Sequence, residues 1–319
     1  MYPFIDMHCD TLHLTAKGSA DALRRNDGML DFERMKAAGQ MAQFFAIFFP
    51  PKKWIKHSDE DLYITLRNKY LAALSANSDI ILPALSGSDI EKNHAQGKMS
   101  AVLTIEDGRI VDGKIENLTR LHADGVRAIA LTWNGENCFG YPNSDNGEEM
   151  ALGLKPFGFE AVEIMNELGI LVDVSHLSDG GFWDVAKTSK KPFIATHSNA
   201  RTLCPHQRNL TDTTIKTLAD CGGVTGLNFC ADFLPQDLAA PESTAKLLAD
   251  HALHILNVGG EDVLALGSDF DGIDRDVEVC EPTQMHLIFD ELQKRGVTSR
   301  QLEKLASKNI LRVMHDAID

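Results

Sequence analysis

His8 and Asp10 stand two residues apart in Asp6-Met7-His8-Cys9-Asp10, just after the apolar pair Phe4-Ile5. Alternate side chains of an extended chain share a face, so this imidazole and this carboxylate project together. They form a ligand pair suited to a borderline divalent ion such as zinc. Later apolar runs end in residues of the same kind: Glu106 closes 101–106, His176 closes 171–176, His197 closes 193–197 and Asp269 closes 263–269. Three histidines and two or three carboxylates are more than one tetrahedral zinc uses. They suit two ions about 3.5–4 Å apart that share a carboxylate and a hydroxide, a pair that acidifies water and polarises a carbonyl. That is hydrolytic chemistry. Glu106 is the natural shared ligand, being the longest acid of the set. Asp107 faces away if the strand continues, and is left out.

For six such residues to meet, their strands must be parallel and deliver their C-terminal ends to one place. Eight short apolar runs read as strands: 4–8, 41–49, 101–106, 128–133, 171–176, 193–197, 224–229 and 263–269. Their near-continuous hydrophobicity is that of strands buried on both faces. Segments between them are long enough for helices, as at 60–76, 157–168, 211–221 and 243–256. Ser178-Asp179 and Thr211-Asp212 read as helix starts, and Gly125, Gly169 and Gly222 as stops. This alternation predicts an α/β fold, a single (β/α)8 TIM-like barrel, with an extra pair of C-terminal helices near 285–294 and 299–317. Its active site would lie at the C-terminal ends of the strands. No low-complexity linker or repeat interrupts the chain, so residues 1–319 are expected to form one hydrolase domain.

Of the 319 residues 44% are hydrophobic and 24% charged, ample for a large core, and the net charge of −15 argues against a nucleic-acid partner. No apolar run is long enough to span a membrane, and the chain passes from Met1 straight into the first strand without room for a signal peptide. Six cysteines (9, 138, 204, 221, 230, 280) lie scattered with no C-x-x-C pair, which fits a reducing, cytoplasmic setting. Asp269-Phe270-Asp271-Gly272 suggests a calcium loop at first sight. Asp274 at the sixth position and Cys280 at the twelfth do not fit one.

Taken in order, Asp6-Met7-His8-Cys9-Asp10-Thr11, Ile105-Glu106-Asp107-Gly108, Val172-Asp173-Val174-Ser175-His176, Thr196-His197-Ser198-Asn199, His206-Gln207-Arg208-Asn209 and Gly267-Ser268-Asp269-Phe270-Asp271-Gly272 resemble the motifs of the membrane (renal) dipeptidases and their bacterial relatives. The resemblance implies a zinc-dependent dipeptidase on a (β/α)8 barrel, usually a homodimer, that hydrolyses small dipeptides with a free C-terminal carboxylate through a hydroxide bridging two metal ions. It implies two Zn2+ as cofactors, with other divalent ions as substitutes. His8 and Asp10 would bind one ion, His176 and His197 the other, and Glu106 both. Arg208 matches the arginine that holds the substrate's terminal carboxylate, and Asp269 the acid that handles the proton of the attacking water. A guanidinium in a polar loop after the sixth strand suits that grip. One departure stands out: many relatives carry a histidine at the end of the fourth strand, where this chain has Trp133. An indole offers one donor and no acceptor, so Trp133 is expected to contact substrate without replacing every role of that histidine; Asn134 or Asn137 could supply a donor. Another amide or lactam hydrolase on the same metal pair is the alternative. A barrel that only binds peptides is disfavoured by the presence of Asp269.

Overall fold

The structure is a computed structural model describing residues 2–16, 18–54, 56–274 and 276–319. Its strands are β1 (Phe4–Asp6), β2 (Gln40–Phe48), β3 (Ile81–Pro83), β4 (Met99–Glu106), β5 (Val126–Ala130), β6 (Leu171–Asp173), β7 (Ile194–Ala195), β8 (Val224–Leu227) and β9 (Leu264–Leu266). Every ladder is parallel, and β2–β1–β9–β8–β7–β6–β5–β4 closes on itself because β2 also pairs with β4. Eight strands therefore form a closed parallel barrel ringed by helices. The ninth, β3, was not expected. It pairs with β4 at Met99–Ala101, below the point where β5 joins β4 at Leu103, so it fills a length of edge that β5 leaves open.

Neighbouring residues of one strand serve different cores, as alternation requires. Ile5, Phe44, Val102, Ala128, Leu171, Ile194, Val224 and Ala265 form a cluster with Ile310, Val313 and Met314 of the C-terminal helix Asn309–Ala317. That helix closes the barrel at the end away from the site. Phe4, Phe45, Leu103, Ile129, Val172, Ala195, Leu227 and Leu264 belong to a second cluster, between strands and outer helices. The helix boundaries follow side-chain chemistry. Ser178 and Thr211 accept hydrogen bonds from the third amide beyond them, and Gly169 ends Pro156–Leu168 in the left-handed region. The expected C-terminal helix over 299–317 has a π-helical turn at Lys304–Lys308.

Most strands stop earlier than their apolar runs. The expected ends at His8, Trp133, His176, His197 and Asp269 all lie two or three residues past the last strand residue, in the connections that follow. At two ends the cause is a buried acid. Asp6 accepts from the His8 and Ser268 amides, and Asp173 from the Ser175 and Thr196 amides. A carboxylate that satisfies those N–H groups replaces the ladder there and frees the chain to turn. Close approach matters as well. A Cβ on Gly267 would stand 1.8 Å from the Thr196 carbonyl oxygen and one on Gly226 2.1 Å from it, so only glycine lets the tops of β8 and β9 crowd against Thr196-His197.

Candidate metal centre and active site

The turns after β1, β6, β7 and β9, with the end of β4, deliver the candidate residues to one mouth. Glu106 lies at its centre. Its Oε2 is 3.5 Å from His8 Nε2, and its Oε1 is 3.0 Å from His176 Nε2 and 3.8 Å from His197 Nε2. One carboxylate thus faces two ligand groups with its two oxygens. On the Oε2 side, His8 Nε2 also lies 3.6 Å from Asp10 Oδ2 and 3.7 Å from Asp269 Oδ1. His8, Glu106 and His197 can share one ion by distance, and His8, Asp10 and Asp269 another. His176 and Asp269 adopt φ of 67° and 66°, the left-handed region that costs a side-chain-bearing residue energy and is found where function fixes the backbone.

The histidines are oriented from behind. His197 Nδ1 is 2.8 Å from Thr196 Oγ1, whose hydroxyl in turn donates to Asp173. His176 Nδ1 is 3.3 Å from the side-chain oxygen of Asn134. In both rings the proton therefore sits on Nδ1, and the Nε2 lone pairs face each other at 3.0 Å. Burial foremost, with the nearby charges of Arg208 and His8, holds both imidazoles well below their usual pKa, so both are neutral.

These contacts fit a cation. Among the described residues, two Nε2 lone pairs and a carboxylate oxygen converge with no donor between them, and the buried His8 Nε2 and Asp10 Oδ1 have no hydrogen-bond partner. Burial, with the charge of Asp10 adding to it, pushes Glu106 up to about 8; burial likewise pushes Asp269 up to about 6. Burial opposes a charged His8, yet Glu106 and Asp10 together hold its pKa well above normal. Acids crowded into a buried mouth call for positive charge, which a bound metal ion would supply. Thr196→Val, which breaks the link between Asp173 and His197, should weaken metal affinity by about 10- to 100-fold, measured by competition with a chelating dye. Unchanged affinity would show that Thr196 does not orient His197.

The mouth opens into a cavity of about 590 Å³, within the range that takes small ligands. Asp10, Glu106, His176, Asp269, Arg208 and Trp133 all line it. Arg208 is buried, with its guanidinium 3.2 Å from the His197 carbonyl, 3.4 Å from Ser198 Oγ and 5.5 Å over the Phe233 ring. Among the described residues it has no carboxylate ion pair, and its Nε has no partner. Trp133 sits half-buried on the rim, its ring 6.1 Å from that of His176. Asp107 turns away to Arg109 and Asn137, and Asn137 is thereby spent on structure. Asn134 does reach the site, as the partner of His176.

Asp173, Thr196 and Asn228 were not singled out from the sequence. Asn228 donates to Asp269 Oδ2 at 3.0 Å and fixes its carboxylate. A readable signal existed for Asp173 alone, an acid inside the apolar run Leu171-Val172-Asp173-Val174.

Comparison with known proteins bears on this arrangement. The model of a family described as membrane dipeptidase (peptidase family M19) matches residues 1–319. A curated protein of Klebsiella pneumoniae, described as uncharacterized and encoded in the pqqA 5′ region, is 37% identical over 238 residues, 72% of this chain and 86% of that protein. An uncharacterized dipeptidase of Schizosaccharomyces pombe is 31% identical over 299 residues, 89% of this chain and 71% of its own length. Among solved structures, a metallo peptidase from Rhodobacter sphaeroides, bound to a phosphinate mimic of the dipeptide L-Ala-D-Ala, superposes with a TM-score of 0.89 at 26% identity over 99% of each chain.

Proposed function

This chain belongs to the membrane dipeptidase family, peptidase family M19, and is a metallo-dipeptidase; from that premise we propose that it uses two zinc ions to hydrolyse dipeptides bearing a free C-terminal carboxylate. The observation that carries the reading is the division of Glu106 between two ligand groups. His8 and Asp10 would hold one ion, His176 and His197 the other, and Glu106 both. Bound there, the ions would supply Lewis-acid chemistry, making water acidic enough to attack at neutral pH and polarising the scissile carbonyl. The remaining steps fall to side chains. Arg208, buried and without a carboxylate ion pair among the described residues, grips the substrate's carboxylate and so sets the peptide bond over the mouth. Asp269, oriented by Asn228, takes the proton of the attacking water and returns it to the leaving amine. Trp133 contacts the substrate from the rim. The proposal also includes one hydrolase domain, a homodimer and a cytoplasmic setting. Among the described residues no helix is long and apolar enough to cross a membrane.

Dipeptide hydrolysis should be abolished by a chelator and restored by zinc, and no turnover of any dipeptide by metal-loaded protein would refute the reading. Arg208→Ala should keep its metal and lose about 1.5–3 kcal/mol of binding to the carboxylate. That is roughly a 10- to 150-fold fall in kcat/KM on a dipeptide. A dipeptide amide, which lacks the charge, should be affected far less. Equal losses on acid and amide would remove Arg208 from this role.

A further inference from the structure

Counted round the eight-strand ring, β2 lies four places from β7, diametrically across the mouth. Arg208 stands on the loop after β7. Opposite it, the end of β2 and the turn that follows present Phe48 and Trp54, and the turn after β5, two places round the ring from β7, sets Trp133 beside them. Trp133 is the centre of this wall, its ring 5.0 Å from Phe48 and 6.3 Å from Trp54, both edge-to-face. All three line the cavity. Trp54 remains 64% exposed, a large apolar surface left open beside the site. The three rings pack by their edges and faces, so the wall presents mainly aromatic surface to the cavity.

Resting on the dipeptidase reading, we infer that this wall is the specificity site for the substrate's first residue, and that the enzyme selects dipeptides whose N-terminal side chain is large and apolar. With the C-terminal carboxylate on Arg208 and the scissile carbonyl at Glu106 and its neighbours, the first residue extends across the mouth to the aromatic side. A bulky apolar side chain there covers the exposed face of Trp54 and the rim of Trp133. A glycine leaves both wet, losing that burial.

The test is kcat/KM of the zinc-loaded enzyme on Phe-Ala, Leu-Ala, Lys-Ala and Gly-Ala. Phe-Ala and Leu-Ala should exceed Gly-Ala by at least about 10-fold, the scale on which an apolar pocket discriminates. Trp54→Ala, a change at an exposed position, should collapse the Phe-Ala to Gly-Ala ratio by about fivefold or more. A flat profile, a preference for Lys-Ala, or a ratio unmoved by Trp54→Ala would each overturn the inference while leaving the dipeptidase reading intact. Turnover of none of the four would remove both.

Discussion

Asp269→Asn is expected to lower turnover by about 10²–10⁴-fold, the usual contribution of a positioned general acid–base, while both ions stay bound. The reason lies in where the side chain is held. Asp269 follows β9, the strand beside β1, and its Oδ1 reaches within 3.7 Å of His8 Nε2. Its other oxygen is fixed by Asn228 at 3.0 Å. An asparagine keeps the shape and loses the basic oxygen. Because the loss falls on the chemical step, KM should change little provided substrate leaves faster than it reacts. Steady-state kinetics with metal analysis of the same sample distinguishes the outcomes. Near-normal turnover in a metal-replete variant would remove Asp269 from proton transfer. Loss of an ion would make it a ligand, a role its distance to His8 also allows.

Glu106→Gln should have a larger effect still, because one residue serves both ligand groups. The amide keeps one carbonyl oxygen for one group and turns an uncharged NH2 towards the other, which cannot ligate a cation. The negative charge at the centre of the mouth is lost as well. Metal content should fall to one ion or fewer per chain, and turnover by more than the roughly 10²–10⁴-fold expected of a proton-transfer residue alone. Metal analysis and kcat on the same preparation check it. A variant with its full metal content and near-normal turnover would show that Glu106 is not shared.

The candidate ligands and the barrel were legible together, for one physical reason. Parallel strands buried on both faces read as apolar runs, and in a closed barrel whatever follows each run faces the same mouth. His8, Glu106, His176, His197 and Asp269 were legible because each ends such a run. The true strand ends were not. Apolarity continues past Asp173 through Val174, but the ladder goes no further than the bond from the Val174 amide to the Ile194 carbonyl, because the Asp173 carboxylate takes the Ser175 and Thr196 amides. The left-handed backbone of His176 and Asp269 was not legible either: histidine and aspartate enter that region more often than most residues, but so weak a preference does not single out these two positions. The strand Ile81–Pro83 is three residues long and ends in proline, and its existence depends on where β5 joins β4. Thr196 gave no sign of its role, because adjacency to His197 does not reveal that its hydroxyl links the imidazole to Asp173. Trp54 was invisible for a similar reason: its place opposite Arg208 depends on how the ring closes.

The central claim is that one shared carboxylate organises two metal ions, and metal stoichiometry tests it most directly. Protein purified without chelator and saturated with zinc, then freed of unbound metal, should give close to two equivalents per chain by elemental analysis, matching the two faces of Glu106. A saturated preparation that holds one equivalent or none would contradict the account.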